Sequence, residues 1–215
     1  MALDYLIHLA IILCIYAIVS LSLQLAMGFA GMLNLGHIGL YAIGAYASAL
    51  LTIHNVPFLA ALLLAGLLPA GISILLSLVL DRTSGDYFAL ATMGFSFATY
   101  AILLNWTSLT GGAIGIAGIT RPSFFALSIS SNLQYLTLVL FLCAITYGSL
   151  KKILSSPFGK AIQGIRDDVV AAQSLGIPAR RMKMQTFALS AFFAGLGGRL
   201  YAHYIQYIDP TSFTI

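Results

Sequence analysis

Six apolar stretches, each close to the length of a membrane-crossing helix, constrain what this chain can fold into. A helix needs about 20 apolar residues to cross a hydrocarbon core of about 30 Å. Only 7% of the 215 residues are charged, whereas a soluble domain carries about 25%, so the chain cannot cover itself with a water-facing surface. We therefore predict an all-α, polytopic membrane protein with one transmembrane domain. The predicted spans are 5–27, 37–53, 58–80, 87–105, 133–150 and 185–208.

The run GFAGMLNLGHIGLYAIG at 28–44 predicts an interruption between the first two spans. Each glycine in a helix interior is destabilising by about 1 kcal/mol relative to alanine. Two interpretations stay open: a loop between two helices, or an interrupted helix whose non-helical backbone lies at membrane depth beside a transport path. On the second interpretation we predict that Gly31, Asn34, Gly36 and His37 line the path, although a histidine there is more often a hydrogen-bonded structural residue.

Hydroxyl side chains mark one face of the fourth span. Thr92, Ser96 and Thr99 recur at steps of four and three, which places them on the same side of a helix. We predict that they line the translocation path. The alternative is that each hydroxyl bonds back to its own helix.

The sixth span combines small residues with one charged residue. Ser190, Ala194, Gly198 and Ala202 recur every four residues, with Gly195 beside them, and this pattern predicts close helix packing without requiring a function. Arg199 lies about two-thirds of the way along the span. It either snorkels to the outer interface, or it contacts a substrate carboxylate or gates the path.

Basic residues set the predicted orientation. Seven of the ten lie between 151 and 183, so the positive-inside rule places the loop 151–184 in the cytoplasm. Counting back, the loop 81–86 is also cytoplasmic, whereas 106–132 and the N-terminus are outside. The net charge of +4 is thereby explained without nucleic-acid binding.

The cytoplasmic loop carries an amphipathic pattern at 157–175 that predicts one helix. Ser156 followed by Pro157 is typical of a helix start, and Gly176 and Pro178 end the pattern. Such a helix either lies on anionic membrane lipid or fits a groove in a cytoplasmic partner.

Several function classes find no support in the sequence. The phosphate-binding pattern GxxxxGK[ST] is absent, and we find no catalytic constellation or metal-binding cluster, so an enzyme is not predicted. Cys14 and Cys143 lie in apolar runs and are interpreted as small buried hydrophobic residues. All six acidic residues are aspartates at span ends or in loops, which argues against ion coupling through a buried carboxylate.

Four ordered blocks resemble a known family, the permease subunits of branched-chain amino-acid ATP-binding-cassette importers, of the LivM rather than the LivH type. The blocks are GFAGMLNLGHIGLYAIGAYASALL, GDYFALATMGF with LLNWTSLTGGAIGIAGI, SPFGKAIQGIRDDVVAAQSLGI, and KMQTFALSAFFAGLGGRLYAHY. The resemblance implies an importer-permease bundle in the plasma (inner) membrane. It also implies a sister permease, two cytoplasmic ATPase subunits that bind ATP, and an external substrate-binding protein.

The resemblance also assigns a coupling segment within the cytoplasmic loop. The residues expected to couple to the ATPase are Pro157, Gly159, Arg166, Asp167, Asp168, Ala171, Ala172, Leu175 and Gly176. Relatives usually continue with further helices, so the chain is expected to be incomplete at its C-terminus. Alternative functions are a stand-alone ion-coupled carrier or channel and a non-transporting, truncated scaffold, and relatives also carry urea, amides or other amino acids.

Overall fold

The computed structural model of the protein is dominated by helices, and it describes residues 2–54, 56–80, 83, 85–121, 123–124, 127–128 and 131–214. The long helices are α1 (Ala2–Gln24), α2 (His37–Ile53), α3 (Phe58–Val79), α4 (Asp86–Asn105), α6 (Asn132–Ser155) and α9 (Ala179–Ile205). The short helices are α5 (Thr107–Thr110), α7 (Pro157–Asp167) and α8 (Val169–Ser174). A π-helical turn, Leu25–Phe29, continues α1, and 3₁₀ turns form at Gly112–Ile114 and Pro210–Phe213.

Two small strand pairs complete the described part of the chain. β1 (Ile116–Ala117) pairs antiparallel with β4 (Tyr207–Ile208), and β2 (Ser123–Phe124) pairs antiparallel with β3 (Leu127–Ser128). The first pair ties the segment after α4 to the end of α9.

The six predicted spans each fall on one of the six long helices. Four helical segments are long and apolar enough to cross a membrane: Leu3–Phe29, Phe58–Val79, Asp86–Asn105 and Asn132–Ser155. The helix α2 is apolar but has only 17 residues. The helix α9 has 27 residues and carries Arg199 and His203, both buried by neighbouring helices. These helices confirm the all-α, multi-pass architecture.

The helix α9 lies at the centre of the bundle and packs most extensively against α3 and α2. A Cβ atom added at Gly195 would lie 2.2 Å from the carbonyl oxygen of Ala65, and one added at Gly198 would lie 2.1 Å from that of Tyr41. Backbones therefore meet without an intervening side chain at these two crossings. The other small residues of the predicted row, Ser190, Ala194 and Ala202, are also fully buried.

The glycine run separates two antiparallel helices rather than two halves of one helix. The helix α1 runs antiparallel to α9, because His8, near its start, bonds Tyr204, whereas Ser22, near its end, bonds Ser190. The helix α2 runs parallel to α9 instead, because Gly44 lies against Gly195 and Ser48, further along α2, bonds His203. Residues 30–36 are non-helical and return the chain into the bundle. We call this segment, residues 30–36, the return arm.

The prediction of a single amphipathic helix at 157–175 is wrong. The start is as predicted, because the Ser156 side chain accepts a hydrogen bond from the Gly159 backbone and Pro157 occupies the first turn. The helix ends at Asp167, however, and Asp168 adopts an extended conformation and caps α8 by accepting hydrogen bonds from the backbone of Val170 and Ala171. This aspartate supplies a helix start where the apolar pattern alone predicted continuity. The predicted loop 81–86 lies largely outside the described residues.

Candidate functional site

The return arm begins at a tight turn below α1. The backbone N–H of Met32 donates to the Ala26 carbonyl at 3.0 Å and closes the turn. Gly31 lies within it at φ +66, a left-handed conformation that other residues adopt only at a cost. A Cβ atom at Gly31 would also lie 2.7 Å from Cγ of Arg166. Glycine is therefore required at position 31 both for its backbone angle and for its missing side chain.

A buried hydrogen-bond network fixes the upper end of the return arm. The amide oxygen of Asn34 accepts from the Gly36 backbone at 2.9 Å, and its amide nitrogen donates to Nδ1 of His37 at 3.2 Å. Because Nδ1 accepts, Nε2 of the neutral imidazole carries the proton and donates to Oγ of Ser22 at 2.7 Å. We call Ser22, Asn34 and His37 the His37 network.

The His37 network is closed by bonds to two long helices. Oγ of Ser22 donates to the Val19 carbonyl at 2.7 Å, and Oγ of Ser190 donates to the Ser22 carbonyl at 2.5 Å. Ser190 is 11 residues into α9, about 17 Å along the helix axis. The network therefore lies at depth within the bundle, and the side chains of Asn34 and His37 are buried there.

The helix α4 holds the other side of the return arm. Oγ1 of Thr92 accepts from the Leu35 backbone at 3.1 Å and donates to the Ala89 carbonyl at 2.9 Å. Oγ of Ser96 accepts from the Gly39 backbone at 3.3 Å. A Cβ atom at Gly36 would lie 2.4 Å from the Thr92 carbonyl oxygen. Thr92 and Ser96 thus act as backbone anchors.

Thr99 lies one turn further along α4 and behaves differently. Its hydroxyl donates to the Phe95 carbonyl of its own helix at 2.9 Å. This is the back-bonding arrangement that threonines in apolar helices commonly adopt. The structure therefore bonds Thr92 to the return arm and Ser96 to the first turn of α2, and leaves Thr99 bonded within α4.

One arginine joins α7 to the π-helical turn that leads into the return arm. Nη1 of Arg166, on α7, donates to the carbonyl oxygen of Gly28 at 2.9 Å. Its Nε and Nη2 atoms donate to Oδ1 of Asp167 at 3.0 and 2.9 Å. The carboxylate thereby orients the guanidinium toward the turn, and a single side chain links the predicted coupling segment with the predicted path.

The apolar side of α7 and α8 packs on the bundle itself. Ile162 and Ile165 are fully buried, and Ala172 is 4% exposed. Val170 and Leu175 are instead 72% and 81% exposed. Gly176 follows in a left-handed conformation at φ +78 and turns the chain toward α9. The surface available to a partner is therefore the one formed by Val170 and Leu175, and only Leu175 of this pair belongs to the apolar pattern read from the sequence.

A cavity of about 390 Å³ lies between the return arm, the start of α4 and α8. Gly31 and Met32 line it from the return arm, Gln173 from α8, and Arg180 and Lys183 from the first turns of α9. The return arm can therefore be reached from the end of the bundle that carries α8 and the start of α9.

Arg199 lies apart from this cluster, near the other end of α9. It is 1% exposed, and its Nε and Nη1 atoms are buried without a hydrogen-bond partner. The guanidinium carbon lies 4.4 Å from the ring centroid of Phe58, over the ring face. Snorkelling into water is therefore not what the side chain does.

A second buried histidine, His203, was missed by the sequence reasoning. Its Nδ1 donates to the Thr120 carbonyl at 2.7 Å, so Nε2 accepts from Oγ of Ser48 at 2.8 Å. The available signal was simply a histidine within a span, since such residues are rare and almost always have a polar partner. Its contacts fasten α2 and the segment before β2 to the end of α9.

Comparisons with known proteins agree with this architecture. A family model described as the branched-chain amino acid transport system permease component matches residues 5–215. The high-affinity branched-chain amino acid transport system permease protein LivM of Escherichia coli is 35% identical, over 97% of this chain and 55% of that protein. The protein of the same name from Salmonella typhimurium has the same identity and coverage. The chain thus spans about half the length of these two relatives.

A more distant relative comes from an archaeon. The probable branched-chain amino acid transport permease protein LivM of Methanocaldococcus jannaschii is 23% identical, over 93% of this chain and 68% of that protein. No solved structure matches the chain.

Proposed function

Because the chain belongs to the family of branched-chain amino acid transport permease components, we propose that it is a membrane-spanning subunit of an ATP-binding-cassette importer. Its cargo is a branched-chain amino acid, carried inward across the plasma (inner) membrane. The proposed partners are a sister permease, two cytoplasmic ATPase subunits and an external substrate-binding protein. ATP is bound and hydrolysed on the ATPase subunits.

The bond between Arg166 and the Gly28 carbonyl carries this proposal. An importer subunit without its own ATPase must convert movement of a cytoplasmic docking element into movement of the translocation path. Here Val170 on α8 and Leu175 just after it are exposed. The helix α7 precedes α8 and packs against it, and Arg166 connects α7 to the turn before the return arm. A shift of α7 and α8 would therefore move Gly28, which Arg166 bonds, and Gly31, which the Arg166 side chain contacts.

The proposed path runs beside the return arm and opens into the 390 Å³ cavity. Asn34, His37, Thr92 and Ser96 shape it by holding backbone in place, since their polar atoms are engaged with the protein. Gly31 and Gly36 supply the close approaches that this arrangement needs. An apolar cargo side chain is compatible with the path beside these four residues, because their polar atoms are bonded to the protein. Polar side chains line the cavity itself, namely Gln173, Arg180 and Lys183.

The first experiment is cysteine cross-linking from α8 to co-expressed ATPase subunits in native membranes. The variants Val170→Cys and Leu175→Cys, in a background without Cys14 and Cys143, should cross-link in a nucleotide-sensitive way. Ala172→Cys is the matched control, because its side chain is buried against the bundle and should cross-link at least fivefold more slowly.

Uptake of radiolabelled leucine into vesicles completes the test. Importer function requires ATP, the ATPase subunits and the binding protein together. Uptake driven by an ion gradient in vesicles without the ATPase would contradict the proposal and favour a stand-alone carrier. Stable cross-links with no cargo-dependent flux would favour a scaffold.

A further inference from the structure

A buried cation without a counter-charge marks the outer half of α9. Arg199 is almost completely buried, yet two of its three guanidinium nitrogens make no hydrogen bond. It lies six residues before the end of α9 at Ile205, about 9 Å along the helix axis. Intramembrane arginines ordinarily pair with an acid or with backbone carbonyls. The contacts within the described chain leave this pairing incomplete.

The polar groups that interact electrostatically with Arg199 are engaged elsewhere. The hydroxyl of Tyr135, on α6, donates to the Leu200 carbonyl at 2.6 Å. Both ring nitrogens of His203 are occupied by Thr120 and Ser48. The Tyr135 oxygen could still accept a hydrogen bond, but Nε and Nη1 of Arg199 make none, and both ring nitrogens of His203 are already in use.

We propose that Arg199 binds a carboxylate in the outer half of the membrane, and that Phe58 covers the site in this conformation. A guanidinium offers several N–H donors in one plane, and a carboxylate accepts them while neutralising the charge. The aromatic face of Phe58 substitutes for that anion by a cation–π contact.

Phe58 lies at the end of a helix, where its side chain can act as the cover of the site. It is the first residue of α3, directly after the Pro57 cap, and its side chain is only half-buried. A rotation of its ring away from Arg199 would remove the cation–π contact. The cover is therefore displaceable by a stronger ligand.

Two sources can supply the carboxylate. One is the cargo amino acid, in which case the inference rests on the proposed function and places a cargo contact far from the return arm. The other is an acidic side chain on a transmembrane helix of a neighbouring subunit. The chemistry at Arg199 is the same for both.

The test is arginine-selective labelling with phenylglyoxal, read at Arg199 by peptide mass spectrometry of the complete transporter in lipid nanodiscs. Arg181 serves as the reference, because it lies on the same helix and is exposed. We expect Arg199 to label at least tenfold more slowly than Arg181, and the variant Phe58→Ala to raise its labelling at least fivefold.

Leucine and leucine amide then separate the two sources, since both carry the same amine but only leucine has a carboxylate. Protection of Arg199 in Phe58→Ala by leucine and not by the amide identifies the cargo. Labelling that stays low in the complete transporter and rises when the sister permease is omitted identifies a neighbouring subunit. Labelling at one rate in all these conditions would overturn the proposal.

Uptake gives a second readout. The variant Arg199→Met should lower leucine uptake at least tenfold, Arg199→Lys should retain part of it, and Arg181→Met should leave it unchanged. Wild-type uptake by Arg199→Met, with normal assembly, would also overturn the proposal. Failure of the wild-type protein to take up leucine with ATP would instead refute the proposed function, while the labelling would still decide whether a neighbouring subunit reaches Arg199.

Discussion

The two polar regions buried along α9 differ in whether their hydrogen bonds are complete. Every side chain of the His37 network has its partners within the chain, and the network fastens the return arm to α1 and α9. Arg199, further along the same helix, keeps two donors unmet. The satisfied network specifies structure, whereas Arg199 is where we propose that a carboxylate binds.

Breaking the satisfied region should give the largest loss of stability. The variant His37→Leu removes both ring nitrogens and leaves the Ser22 hydroxyl and the Asn34 amide with unmet bonds. A loss of about 2–4 kcal/mol is expected, because each unsatisfied buried group costs about 1–3 kcal/mol. Thermal unfolding in detergent would measure it, and His54→Leu, at an exposed histidine, is the matched control. Equal melting temperatures for the two variants would contradict the structural role of the network.

Neutralising the unsatisfied region should act in the opposite direction. In the empty transporter Arg199→Met is expected to raise stability by about 2–3 kcal/mol, because an intramembrane arginine costs about that much. The same unfolding assay measures it, with Arg181→Met as the control. A lower melting temperature for Arg199→Met would mean that the guanidinium is already paired in the assembled protein.

The hydrogen bond from Arg166 on α7 to the Gly28 carbonyl should affect the coupling of ATP hydrolysis to uptake more than the stability of the fold. Arg166→Gln removes the bond to Gly28 and the exposed ion pair with Asp167, which together contribute only about 1 kcal/mol to folding. We expect ATP hydrolysis to continue while leucine uptake per ATP falls about tenfold, equivalent to about 1.4 kcal/mol of lost coupling.

The control for Arg166→Gln is a second variant on α7. Lys160→Gln removes the same charge from an exposed position on α7 and should preserve the ratio of uptake to hydrolysis. A parallel fall in hydrolysis and uptake in Arg166→Gln would place Arg166 in ATPase docking instead.

The smallest expected effect lies beyond the end of α9, outside both polar regions. Partial burial raises the pKa of Asp209, but hydrogen bonds from Ser212 and Thr211 outweigh it and hold the pKa below its ordinary value. The stabilisation is therefore present above the ordinary value of about 4. It is lost as the pH falls through the lowered pKa. Asp209→Asn should remove this acid-side slope, worth less than about 1 kcal/mol, from the melting temperature measured between pH 3 and 6.

The sequence was sufficient for the spans because their length and apolar character are local properties. The capped start of α7 was predictable for the same reason, since Ser156 and Pro157 are adjacent. The break at Asp168 was not, because a cap there competes with an otherwise continuous apolar pattern. The partners of His37 could not be read from the sequence, as Ser22 and Ser190 come from distant segments.

The environment of Arg199 was the other element beyond reach of sequence. A long basic side chain near a span end ordinarily extends to the interface. Whether Arg199 extends to the interface depends on its surroundings, which here are the ring of Phe58 and Tyr135 on α6. The same limit applies to His37 and His203. A histidine within a span predicts a hydrogen-bond partner, but the sequence does not show which residue that partner is.

The central helix has a mechanical consequence. With 27 residues, α9 is about 40 Å long. It starts directly after α8 at one end and leads into β4, paired with β1, at the other. A rigid-body tilt of α9 would therefore move the segments attached to both of its ends. A tilt of about 5° about its first turn would move the opposite end of α9 by about 3.5 Å, and β4 and the paired β1 would move with it.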